Sequence, residues 1–91
     1  MLIQLHNDST DKPVYVNREN ILVVQPDKDG RTTVMVGEDG WYIYASETVA
    51  EVIALWTWAP RGPAEPVITL KAIGPEWIAK CKAIAATKEA P

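Results

Sequence analysis

Phenylalanine is absent from this chain, and histidine and cysteine occur once each, as His6 and Cys81. A lone cysteine cannot close an internal disulfide, so the expected setting is a reducing one, the cytoplasm, with Cys81 a small buried apolar residue. One His and one Cys fall short of the four nitrogen and sulfur ligands of a structural zinc site. No apolar run reaches the ~18 residues that would cross a bilayer. The opening "MLIQLHNDSTDK" has neither the basic start nor the long apolar stretch of a secretory signal. Phosphate-cradling glycine spacing is missing too, since "VMVGEDG" fits neither the phosphate-loop nor the dinucleotide pattern. "DKDG" (27–30) resembles part of a calcium loop, but that register puts Gln25 at the first ligand position and Val36 at the twelfth, which excludes it. No metal and no cofactor is expected.

Positive charge is scarce in the first two-thirds of the chain. Residues 1–59 hold four Lys/Arg against nine Asp/Glu, whereas residues 60–91 hold five against three. An acidic body disfavours nonspecific binding to phosphate backbones. The mildly basic tail suits either its own acidic body or an acidic partner.

What the chain does have is strand-like alternation, aromatic volume and two helix signatures. "MLIQLH" puts Met1, Ile3 and Leu5 on one face. "VYVN", "NILVVQP", "RTTVMVG" and "WYIYAS" read as four further strands. Two Asp-Gly turns, in "DKDG" and "EDG", close hairpins between them. The pattern predicts an α+β fold: an antiparallel meander of about five strands packed by one helix. Alternation assigns Ile21 and Val23 to one side of their strand and Leu22 and Val24 to the other. Several strands are apolar on both sides, so neither sheet face is expected to be bare. Thr48 with Glu51 forms a capping box, and Val49, Val52, Ile53 and Trp56 then make one apolar stripe. That stripe is expected to face Ile3, Leu5, Val23, Val34, Val36 and Ile43.

After this 1–59 body, Pro60, Pro63 and Pro66 recur every third residue, the period of a polyproline rod over 60–66. A 67–91 extension follows, packing on the body or on another subunit. In it "VITLK" is a sixth strand candidate, and "GPEW" opens a second, short helix with Gly74 at the cap and Pro75 at its first position. Trp77, Cys81 and Ile84 share one edge of that alanine-rich helix, which needs packing to persist. Trp56 and Trp58 lie two apart, about 200° around a helix. If Trp56 faces the sheet, Trp58 needs another cover: the rod, Trp77, or a second subunit.

Two function classes fit. The first is a small non-catalytic protein–protein interaction or regulatory protein that binds a protein partner or itself, the oligomer forming through the tail. Its candidate surface is Tyr15, Tyr42, Tyr44, Trp58, Arg61 and Trp77. The second is a nucleic-acid-binding regulator. Tyr42 and Tyr44, two apart on a strand, share a face that Tyr15 could join, and such a face can stack bases. Nucleic-acid platforms interleave Lys and Arg with the aromatics, and only Arg18 and Arg31 are placed to do so. Trp41 and Ile43 then point into the core. Catalysis is not expected. His6 has Asp8 and Ser9 near it in sequence, but a triad is defined by geometry and needs an activated nucleophile.

The segment "VYVNRENILVVQPDKDGRTTVMVGEDGWYIYASETVAEVIALW" resembles the small FlbD-type proteins encoded in bacterial flagellar operons. The likeness falls on Tyr15, Asn17, Ile21, Gly40, Tyr42 and Thr48 through Ile53, and it covers residues 1–56. Its shared motifs are structural; it implies a short-stranded sheet with one capped helix and a flagellar-like interaction role. LytTR DNA-binding domains have a similar order of strands, though they are longer and more basic.

Overall fold

The computed structural model describes residues 1–37, 40–58 and 67–89. The fold is α+β, as expected, but its strands are divided between two sheets rather than laid out as one meander. In the first, β1 (Leu2–His6) pairs antiparallel with β2 (Pro13–Asn17) and parallel with the two-residue β6 (Val67–Ile68). In the second, β3 (Ile21–Pro26), β4 (Thr32–Val36) and β5 (Trp41–Ala45) run antiparallel in chain order. A bridge between Asn7 and Ala45 links the two, with the Asp8 amide donating to the Tyr44 carbonyl at 2.9 Å and the Ser46 amide to that of His6 at 2.9 Å.

Local chemistry accounts for the first Asp-Gly turn; the second, in "EDG", includes residues 38 and 39, which lie outside the described residues. Asp27 organises the β3–β4 hairpin, its Oδ1 accepting from the amides of Asp29 and Arg31, each at 2.9 Å. Gly30 follows with φ of 82°, a conformation glycine adopts without steric cost. "DKDG" is therefore a turn.

The helix α1 (Val49–Thr57) starts at the expected capping box. The Glu51 amide donates to Thr48 Oγ1 at 3.1 Å, and the Thr48 amide donates to Glu51 Oε1 at 2.9 Å. Its burial differs from a single stripe. Val52, Ala54 and Leu55 are fully buried, whereas Val49, Ile53 and Trp56 are half-buried. The reason is a second helix layer: α1 packs on α3 (Pro75–Glu89) as well as on the sheets. A helix covered on two sides is apolar nearly all round. No basic residue lies in the last turn of α1. Arg18 supplies the charge from afar, its Nη1 donating to the carbonyls of Leu55, at 3.4 Å, and Trp58.

Three placements in the second sheet depart from simple alternation. The pairing with β4 shifts between Ile21 and Val23, a bulge at Leu22. One extra residue reverses the parity of everything after it. Ile21 and Val24 thus face the core, and Val23 is turned out. Trp41, expected inside, is 71% exposed. It pairs with Val36, the last residue of β4, and so overhangs the end of the sheet. The outer face is also bare in part: Val23, Met35 and Tyr42 form one cross-strand row there, with Val23 and Tyr42 exposed.

"VITLK" is split. Only Val67 and Ile68 are strand, and Leu70–Ile73 turn once as helix α2. Gly74, with φ of 86°, ends that turn and lets α3 begin at Pro75. The helix α3 then continues through Glu89, 15 residues rather than the short helix expected, because packing on α1 supports it. The core that results is led by Ile3, Leu5, Val34, Val52, Leu55 and Cys81. Val36 and Ile43 pack against it half-buried.

Candidate functional site

A groove of about 500 Å³ runs between the edge strand β3 and the two packed helices. The strand contributes Val24, Gln25 and Pro26 to it. From α1 come Val49, Ile53 and Trp56, the part of the expected stripe that the sheets leave uncovered. Across from them stand Trp77, Cys81 and Ile84, the shared edge anticipated for the second helix. The groove is mainly apolar. Thr57 adds a hydroxyl, but this already donates to the Ile53 carbonyl at 2.8 Å.

Trp77 is the residue around which this region is organised. Its ring meets that of Trp58 edge-on, with centroids 6.2 Å apart and planes at 60°. The indole outside the first core is thereby covered by the second helix. Trp58 is the residue at which α1 stops, its amide donating to the Ala54 carbonyl at 3.0 Å. Lys80 lies 6.0 Å from the Trp77 ring centroid, within cation–π range. Among the described residues, the buried Trp77 Nε1 has no acceptor, whereas buried polar groups usually find partners. Arg61 and the 60–66 rod lie outside the described residues.

The tyrosines do not converge as a set of three. Tyr42 and Tyr44 share a face and meet edge-on, with centroids 5.3 Å apart. The adjacent Tyr42 phenol raises the Tyr44 pKa above the ordinary tyrosine range. Tyr15 stands in the other sheet, where its hydroxyl accepts from Gln4 Nε2 at 3.3 Å. The two arginines considered beside this face are both engaged. Arg18 holds the end of α1. Arg31 lies 5.6 Å from the Tyr44 centroid and 3.5 Å from Asp8.

His6 acquires a partner that its sequence neighbours did not suggest. Its Nδ1 is 2.6 Å from Glu47 Oε2, and its amide donates to Glu47 Oε1 at 2.8 Å. Glu47 lies 41 positions along the chain and its side chain is only 6% exposed. The hydrogen bond to Glu47 raises the His6 pKa, desolvation opposes this, and the charges of Glu47 and Asp11 add to it. The one local clue to Glu47 was its place just before the Thr48 cap, and nothing in that clue concerns His6. Asp8 and Ser9 take other roles, Asp8 toward Arg31 and the Ser9 amide toward Asn7 Oδ1 at 2.8 Å.

Among the described residues, no three His, Cys, Asp or Glu side chains come together as a metal site. No helix among them is long and apolar enough to cross a membrane. Comparison of the chain with protein-family models, with curated proteins and with solved structures finds no match.

Proposed function

We propose that this chain is a small, non-catalytic interaction or regulatory protein of the cytoplasm, which binds a protein partner or a second copy of itself along the β3–α1–α3 groove. The observation that carries this reading is the groove itself: an open apolar channel walled by Trp56 and Trp77, with a buried indole N–H that has no acceptor among the described residues. Aromatic anchors in desolvated pockets dominate protein interfaces. The FlbD-type resemblance of residues 1–56 supports an interaction role, and the buried, unpaired Cys81 suits a reducing compartment.

The test places a charge at the mouth without disturbing the core. Ile84 is 50% exposed on the groove rim. Ile84→Lys is expected to melt like the wild type. It should abolish either a concentration-dependent dimer seen by sedimentation or the capture of a partner by the immobilised chain. A wild type that stays monomeric, with the same proteins captured by both forms, would overturn the reading.

A second reading rests on Arg31 lying over Tyr44 beside Tyr42, an aromatic face with a cation attached. It is that of a nucleic-acid-binding regulator. Steeply salt-sensitive binding of a labelled oligonucleotide, lost in Tyr42→Ala, would favour it over the groove.

A further inference from the structure

A second concavity, of about 360 Å³, opens beside the end of β1, away from the groove. Gln4, His6 and Glu47 wall it on the strand side, and Thr69, Leu70 and Lys71 wall it from the segment that enters α2. Both oxygens of the buried Glu47 carboxylate are directed to His6, one to its amide and one to Nδ1. A ring held through Nδ1 carries Nε2 at its opposite side. Among the described residues, Nε2 has no hydrogen-bond partner and the Lys71 ammonium has no ion pair.

We propose that this cleft binds a small oxyanion, a carboxylate or a phosphate, between the His6 imidazolium and the Lys71 ammonium. Charge balance favours one such ligand. Once His6 is protonated, the negative charge of Glu47 is matched by the imidazolium it holds, which leaves the Lys71 ammonium without an ion pair among the described residues. The cleft volume lies near the low end of the ~300–1,000 Å³ common for ligand sites, which suits a small molecule. Charge-assisted hydrogen bonds from N⁺–H to oxygen are the strong ones, and His6 and Lys71, both on the lining of one cleft, are donors of that kind. Gln4 and Thr69 add neutral polar groups, and Leu70 gives an apolar wall. The charged groups bearing on His6 are Glu47 and Asp11, both of which favour the imidazolium, with Lys71 across the cleft. Binding therefore weakens as pH rises through the His6 pKa.

His6 is the chain's one histidine, so its ring resonances are unambiguous by NMR. The full chain is titrated with sodium acetate and, separately, with sodium phosphate at constant ionic strength, chloride making up the balance. Saturable shifts of the His6 ring signals are expected with at least one anion, and the tighter of the two identifies the class. Acetate keeps its charge across neutral pH, so its arm reads the pH dependence of the site alone. Lys71→Ala, at an exposed position, should leave the melting temperature unchanged and weaken binding about tenfold. In His6→Gln, followed through the backbone amide signals of residues 69–71, binding should lose its pH dependence. Shifts that rise linearly without saturating for both anions, or undiminished affinity in Lys71→Ala, would overturn the proposal, and the Lys71 variant decides it alone if the His6 variant does not fold.

Discussion

The groove and the cleft are held by different means. The groove is an outcome of apolar surplus. Two helices and an edge strand bury Val52, Leu55 and Cys81 beneath it, and the half-buried Val49, Ile53, Trp56 and Trp77 are what remains above. The cleft is positioned by polar contacts, one carboxylate tying the end of β1 to the approach of α1. Apolar packing is non-directional and spread over many contacts, so it tolerates small errors. A hydrogen-bonded charge is directional and leaves buried groups unsatisfied when one partner is lost. The same chain thus carries one concavity that rests on bulk and one that rests on a single pair.

Substitution beneath the groove is expected to have the largest effect. Val52 is fully buried, and Val52→Asp places a carboxyl there with no partner, costing on the order of 4 kcal/mol or more. A chain of this size has little stability to lose, so the variant should not give a cooperative thermal transition. A soluble Val52→Asp protein with wild-type melting would show that α1 does not carry the core.

Breaking the cleft comes next. Glu47→Ala leaves the part-buried His6 amide without its charged acceptor, a loss of about 1–3 kcal/mol. The fold should survive with a lower denaturation midpoint, and the groove should keep its binding behaviour. Loss of both sites together would show that they are coupled rather than separately built.

Arg18 offers a finer test, because it serves the groove by a polar contact. Arg18→Ala removes the donor from the Leu55 and Trp58 carbonyls at the end of α1 and should cost about 1 kcal/mol. Its specific mark is altered Trp58 fluorescence. Unchanged stability and spectra would mean that the helix end is satisfied by solvent.

The smallest effect is a pH dependence. The folded state raises the His6 pKa through Glu47, so the folded chain holds that proton more tightly than the unfolded chain. The resulting stabilisation is complete below the unfolded pKa of about 6.5 and is lost as pH rises through the higher folded value. Melting temperatures of the wild type and His6→Gln should converge toward alkaline pH. A wild-type advantage that grows above neutrality would contradict the sign.

Much of the local structure was legible because its causes lie within a few residues. Thr48 and Glu51 announce α1, Asp27 and Gly30 announce the hairpin, and Gly74-Pro75 announces α3. The Trp77–Cys81–Ile84 edge was legible for the same reason, since helical spacing alone aligns those residues. The candidate surface was readable only in part. Trp58 and Trp77 do meet, and Tyr42 and Tyr44 do share a face, but Tyr15 stands in a different sheet. Glu47 was missed altogether, because a Glu beside a helix cap is ordinarily solvated.

The sequence by itself determined the α+β class, the capped helix, the turns and the apolar edge of α3, all of which follow from steric and hydrogen-bonding preferences acting over one or two turns of chain. Tertiary structure decided everything that depends on count or on distance. A single extra residue at Leu22 sent Val23 outward and Val24 inward, since strand faces alternate with period two and one slip inverts them. Trp41 was left in solvent because its partner, Val36, ends its strand, a fact of sheet length and not of residue type. β6 took its place beside β1 across a separation of more than sixty residues, and α3 closed over α1 to make the groove. His6 met Glu47 for the same reason: only the return of the chain past the end of β1 brings a buried carboxylate within hydrogen-bonding distance of that ring.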